Sequence, residues 1–267
     1  MRTRVLIGIA AVVVGATFGW LTTPHLDPGR FGVSVERFEA DGRGIDGPLE
    51  QIVVRSDDGS DGVVVLLHGR GGSPQDMLSD ELFAALRDLG EEAPAVILPN
   101  GGEASYWHDR NSGEWATYLM EDVVPVAVGD HDLDGDKLAI GGISMGGFGA
   151  LSLALELPDR FCAVGGHSPA VFRSFADAPA GAFDDEDDFE RHDLLARVAR
   201  AELDVPIWID VGRDDPFRAA ATDLAGLLDE TGAEVTMTVP PGGHDDSYWR
   251  SHMDDYLSFY AEALQGC

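Results

Sequence analysis

The residue best placed to do chemistry in this sequence is Ser144. An apolar run, Leu138-Ala139-Ile140-Gly141-Gly142-Ile143, reads as a strand, and Gly142-Ile143-Ser144-Met145-Gly146 then supplies G-x-S-x-G before a Leu- and Ala-rich helical stretch that stops at Pro158. A strand that turns this sharply into a helix tolerates only small residues two before and two after the serine. The turn lifts the hydroxyl clear of the sheet, as a nucleophile requires.

A serine nucleophile needs a base, an acid to orient the base, and donors for the oxyanion. The apolar run Val205 to Gly212 reads as a buried strand and empties into Arg213-Asp214-Asp215-Pro216. The position three past the strand-ending glycine favours Asp215 as the acid, with Asp214 as the alternative. A further strand, Glu234 to Val239, leads through Pro240-Pro241-Gly242-Gly243 to His244, which can reach back to Ser144 as the base. The order serine, aspartate, histidine is the one α/β-hydrolases use.

Earlier in the chain, Val63 to Leu67 ends in His68-Gly69-Arg70-Gly71-Gly72. Glycines there let backbone amides turn inward, so the amides of Arg70 and of Met145, next to the nucleophile, are the expected oxyanion donors. His68 could be read as a base or ligand, but a histidine at such a strand end is expected to brace the loop. Tyr106 and Trp107 follow Asn100-Gly101-Gly102 after another strand, so their rings are expected to overhang the edge that carries Ser144 and to wall a pocket; the alternative is that they pack the loop onto the sheet.

Four stretches together carry a family resemblance: LLHGRGG at 66–72, SYWHDR at 105–110, GGISMGGFGAL at 141–151 and PGGHDDSYWRSHM at 241–253. With them the chain resembles the esterase branch of the α/β-hydrolases, which includes S-formylglutathione hydrolases (esterase D), feruloyl and other carbohydrate esterases, and mycolyltransferases of the antigen 85 type. The resemblance implies Ser144 as nucleophile, His244 as general base and acid, Asp215 as its partner, and a substrate-side loop around Tyr106, Trp107 and His108. The acidic loop Asp130 to Asp136 departs from the usual loop of the family before this strand, and the Gly-Arg-Asp-Asp run at 212–215 departs from the acidic pattern of the mycolyltransferases.

The elements that must position these residues alternate. Strands are expected near 31–39, 50–55, 62–68, 93–98, 137–142, 161–167, 205–211 and 233–239, and helices near 75–89, 114–128, 145–157, 189–201, 216–230 and 247–264. That alternation gives an α/β fold, a doubly wound and mostly parallel sheet of about eight strands whose ligands lie at the strands' carboxyl ends. With 44% hydrophobic residues and no linker or repeat, residues 24–267 are expected to form one catalytic domain. The irregular stretch 168–188 is expected to form a small lid or pocket wall.

Residues 1–23 stand apart. Arg2 and Arg4 precede an uncharged apolar run from Val5 to Thr23, which reads as a signal peptide or a membrane anchor and places the catalytic domain outside the cytoplasm. Cys162 and Cys267 either pair or remain as one buried and one terminal thiol.

A net charge of −30 excludes nucleic-acid binding and disfavours an anionic membrane as partner of the folded domain. Lys137 is the sole lysine, and Asp outnumbers Glu two to one, a composition of GC-rich genomes or saline habitats. The acidic run Asp184 to Asp188 is then a solvated face; calcium is conceivable there or at Asp130, Asp132 and Asp134, but the EF-hand spacing fails because Gly141 stands where the closing glutamate belongs.

These features lead to a serine esterase acting through an acyl-enzyme on a small-molecule, glycan or lipid ester, with no cofactor and no metal. Its alternatives are an envelope acyltransferase and a non-catalytic extracellular protein that keeps the fold.

Overall fold

The computed structural model describes residues 26–200 and 202–267. The N-terminal apolar run lies outside the described residues. Among the described residues no helix is long and apolar enough to cross a membrane.

Eight strands form one sheet: β1 Val33–Ala40, β2 Leu49–Ser56, β3 Val63–Leu67, β4 Ala95–Leu98, β7 Leu138–Ile143, β8 Val164–His167, β9 Ile207–Asp210 and β10 Val235–Thr238. Two two-residue strands, β5 Asp109–Arg110 and β6 Gly113–Glu114, pair separately. The sheet order is β1-β2-β4-β3-β7-β8-β9-β10, antiparallel on both sides of β2 and parallel from β4 onward. This is the α/β-hydrolase architecture expected from the sequence.

Buried central strands need apolar residues on both faces. In β3, Val63, Val65 and Leu67 pack on one side of the sheet while Val64 and Leu66 pack on the other. Helix α1, Asp80–Leu89, and helix α9, Met253–Gly266, cover the second face. The first face carries α2 Trp115–Thr117, α3 Val124–Asp130, α4 Met145–Glu156, α6 Leu194–Val198 and α7 Arg218–Glu230.

Helix boundaries differ from expectation at three places. The stretch expected as one helix at 189–201 is two, α5 Glu186–His192 and α6, because Asp193 accepts the amides of Leu195 and Ala196 and restarts the chain. The stretch 114–128 contains a π-helical segment, Tyr118–Val123, between α2 and α3. The last expected helix divides at His252 into α8 Asp246–Ser251 and α9.

Cys162 and Cys267 are joined by a disulfide that ties the chain end to the residues entering β8. The stretch 168–188 forms no lid. Phe172, Ala182 and Phe183 enter the first-face core instead, and the Arg110 guanidinium holds the segment by donating to Gly181 O, Ala182 O and Asp184.

Candidate active site

The turn after β7 has the strain that its sequence implies. Ser144 sits at φ 55° and ψ −112°, outside the usual regions for a non-glycine residue, and it caps the N-terminus of α4. The glycines on either side are sterically required: a Cβ on Gly142 would lie 2.4 Å from the Gly146 backbone, and one on Gly146 would lie 2.1 Å from Leu67 O. The turn is fastened by the Ser144 amide donating to His167 O at 2.9 Å and the Ala170 amide donating to Ser144 O at 3.0 Å.

Three side chains from three loops meet here. His244 Nε2 lies 2.8 Å from Ser144 Oγ, and His244 Nδ1 lies 2.8 Å from Asp215 Oδ2. A carboxylate only accepts, so Nδ1 carries the proton and leaves Nε2 free to accept from the serine hydroxyl. The Asp215 side chain is fully buried, and its second oxygen accepts the Phe217 amide at 2.7 Å. Asp214 is exposed and contributes its backbone, donating to Gly242 O at 2.9 Å. The Arg213 amide donates to Pro240 O at 2.8 Å, so the acid loop and the base loop are zipped together. Phe217 and Trp249 flank the His244 ring, with centroids at 5.1 and 5.0 Å.

Met145 is the first residue of α4, where a helix leaves its amides without internal acceptors, and Gly69 approaches the nucleophile closely enough that an added Cβ would lie 3.5 Å from Ser144 Cβ. Arg70 follows on the same loop. His68 braces that loop: its Nδ1 donates to Gly69 O at 2.8 Å and its Nε2 accepts the Gly101 amide at 3.1 Å. Burial lowers its pKa from the ordinary histidine value, so the ring is held neutral.

A cleft of about 210 Å³ opens above the serine. Met77, Ile143, Trp249 and Met253 give it apolar walls, and Arg70, Asp76, Asp246 and Arg250 give it a charged rim. Sequence reasoning missed Met77, Trp249 and Met253. The Tyr-Trp pair after His244 was visible as a motif, but only the turn into α8 shows that Tyr248 points into the core while Trp249 faces the cleft.

The expectation for Tyr106, Trp107 and His108 is corrected. None of the three lines the cleft; all are buried, with 2%, 0% and 1% of their surface exposed. Tyr106 and Trp107 adopt φ of 52° and 59°, which turns both rings inward. Trp107 donates to His68 O and covers Gly149 so closely that a Cβ there would lie 2.5 Å from Trp107 Cβ. Tyr106 packs among Phe148, Phe172 and Phe183, and burial pushes its hydroxyl pKa up to about 12. His108 Nε2 pairs with Asp188 at 3.2 Å. These residues buckle the loop and the 168–188 segment onto α4.

Among the described residues, His108, Asp188 and His192 form a group whose ligand atoms lie within 4.8 Å of one another. It is a hydrogen-bonded cluster that Asp188 ties to Arg191. Asp188 already accepts from the Asp184 amide, His108 and Arg191, and the two imidazoles lie tilted to one another, with centroids at 4.2 Å and planes at 33°.

Residues 52–260 match the family model described as "Putative esterase". An S-formylglutathione hydrolase of Paracoccus denitrificans (strain Pd 1222) is 25% identical over 212 residues, which span 76% of this chain and 72% of that protein. Among solved structures, a ferulic acid esterase superposes with a TM-score of 0.75 at 22% identity, covering 88% of this chain and 99% of that one. An S-formylglutathione hydrolase from Agrobacterium tumefaciens does so with 0.73 at 21%, covering 88% and 96%. The chain therefore belongs to the esterase family of α/β-hydrolases, the carboxylic ester hydrolases whose model spans most of its length.

Proposed function

We propose that this chain is an exported serine esterase working through an acyl-enzyme. The observation that carries the reading is the continuous relay from Ser144 through His244 to the buried Asp215, with both links at 2.8 Å. His244 Nε2 takes the Ser144 proton as Oγ attacks the ester carbonyl. The imidazolium that forms is stabilised by Asp215, and the amides of Arg70 and Met145 receive the oxyanion. Collapse of the tetrahedral intermediate breaks the bond to the alcohol oxygen, which takes the proton from His244. Water then enters and gives a proton to His244 as its oxygen attacks the acyl carbonyl, and His244 returns that proton to Ser144 Oγ as the bond to the serine breaks and the acid leaves.

Residues 24–267 act as one catalytic domain in this reading. The cleft volume of about 210 Å³ and its apolar walls suit a compact acyl group, with the alcohol portion, small molecule, glycan or lipid, lying toward the charged rim. Export is supported by the apolar N-terminal run behind Arg2 and Arg4 and by the disulfide, a bond typical of oxidising compartments. The net charge of −30 argues against a nucleic-acid partner. The chemistry asks for no cofactor or metal.

The test is turnover of p-nitrophenyl esters of rising chain length, with and without a sugar acceptor, by the full chain and by Ser144→Ala. Hydrolysis of short esters that is lost in Ser144→Ala is expected. Unchanged turnover in that variant would refute the serine mechanism, and transfer to the sugar in preference to water would make the enzyme an acyltransferase.

A further inference from the structure

Beneath the relay lies a second polar cluster that the mechanism above does not use. Asp210, the last residue of β9, is fully buried and accepts three hydrogen bonds: His167 Nδ1–H at 2.6 Å on one oxygen, and the hydroxyls of Tyr248 at 2.6 Å and Tyr256 at 2.9 Å on the other. His167 is also fully buried, and its Nε2 lies 2.8 Å from the Tyr260 hydroxyl. That hydroxyl occupies a slot that only glycine leaves open, since a Cβ on Gly141 or Gly165 would lie 1.7 or 1.8 Å from it. Burial, with Asp210 adding to it, raises the pKa of all three tyrosines well above the ordinary value and keeps them as neutral donors.

The cluster joins the supports of all three members of the relay. His167 O receives the Ser144 amide, which ties the cluster to the nucleophile turn. Asp210 ends the strand that leads to Asp215, and Asp210 O receives the Ser168 amide at 2.7 Å. Tyr248 lies in α8, immediately after His244. Its ring packs on the loop that carries the base, where Gly242 sits at φ 139° and an added Cβ would meet Tyr248 Cδ2 at 2.5 Å. A buried carboxylate is costly unless it is fully bonded. The Tyr248 hydroxyl is therefore a strong tether, and it is the one Asp210 partner on the segment that carries His244. Tyr256 bonds the same Asp210 oxygen from α9, beyond the break at His252.

We infer that Asp210 and Tyr248 are positioning residues for His244, with the buried carboxylate holding the histidine loop in register with Ser144 and Asp215 through the Tyr248 hydroxyl. The inference rests on the esterase reading above.

The test compares Tyr248→Phe with Tyr256→Phe. Each removes one hydroxyl from the same carboxylate oxygen and keeps the ring, so both are expected to fold and to lose similar thermal stability. Tyr248→Phe is expected to lower kcat on p-nitrophenyl acetate roughly ten- to a hundredfold with little change in KM, as small misplacements do, while Tyr256→Phe stays within about twofold of the parent. The low-field proton NMR signal of His244 Nδ1–H should weaken or shift in Tyr248→Phe alone. Equal losses of kcat in the two variants, or lowered Tm in Tyr248→Phe with kcat and the His244 signal unchanged, would overturn the inference. Should the parent chain show no ester turnover, the esterase reading fails, and the His244 signal still decides whether Tyr248 positions the ring.

Discussion

Replacing Asp215 with Asn changes two hydrogen bonds at once. The carboxylate accepts from His244 Nδ1–H on one oxygen and from the Phe217 amide on the other, in a fully buried setting. Asparagine offers one acceptor and one donor. If its oxygen keeps the Phe217 amide, its NH₂ faces His244 Nδ1 and forces the proton onto Nε2, which then cannot accept from Ser144. If the amide flips, the NH₂ confronts the Phe217 N–H and leaves a buried donor unsatisfied, and the imidazolium still lacks its counter-charge. A wrong-tautomer base costs about 10⁴ in kcat in serine enzymes of this kind, or roughly 5 kcal/mol of transition-state stabilisation. The assay is kcat on p-nitrophenyl acetate for Asp215→Asn and Asp214→Asn, each checked for an intact fold by thermal melting. Asp214 is exposed and acts through its backbone, so Asp214→Asn is expected to keep turnover within about threefold, as for most surface changes. An Asp215→Asn enzyme within tenfold of the parent, or a larger loss in Asp214→Asn, would refute the assignment.

Trp107→Ala is expected to cost about 3 to 5 kcal/mol of stability, as for a fully buried large aromatic, with the ratio of long- to short-ester turnover unchanged; altered selectivity in a fold of normal stability would restore the pocket-wall role. Cys162→Ala removes a cross-link between residues 105 apart, worth about 4 to 5 kcal/mol by loop-closure entropy, and an unchanged denaturant midpoint would contradict this. Burial and the neighbouring His192 hold His108 down to about 4, so the unfolded chain binds the extra proton between that value and the ordinary 6.5. Stability is then full above pH 6.5 and falls as pH drops toward 4, by on the order of 3 kcal/mol. Urea midpoints at pH 7.5 and 5 should separate more in the parent than in His108→Phe, and equal separations would refute the contribution. With a net charge of −30, raising KCl from 0.01 to 1 M, which cuts the Debye length from about 30 to about 3 Å, should raise Tm; a flat or falling Tm would show that self-repulsion is unimportant.

All eight strands of the main sheet lie where they were expected; the central ones, such as β3, β4 and β7, are short apolar runs, and the alternation with helical stretches indicated the fold class. The convergence of Ser144, Asp215 and His244 was legible because each follows a strand end, where parallel sheets collect their ligand-facing loops. The aromatic loop was misread for a specific reason. Sequence indicates which edge a loop leaves, but the successive left-handed residues Tyr106 and Trp107 turn their rings under the sheet edge, and nothing in their identity announces that conformation. The helix breaks at Asp193 and His252 were hidden because the apolar pattern continues across them. The cluster around Asp210 was invisible, since its partners lie 43, 38 and 46 positions away along the chain. The joining of Cys162 to Cys267 was one of the two readings left open by the sequence, suggested by the return of the last helix toward the start of β8, and the structure contains that bond.

The central claim is that Ser144 carries the acyl group during turnover. The most direct measurement is the mass of the protein quenched in acid during the first turnovers of p-nitrophenyl acetate, followed by mapping of the modified peptide. One added acetyl group on Ser144, absent in Ser144→Ala, is the expected result. Acetylation at another residue, or ester turnover that persists in Ser144→Ala, would contradict it.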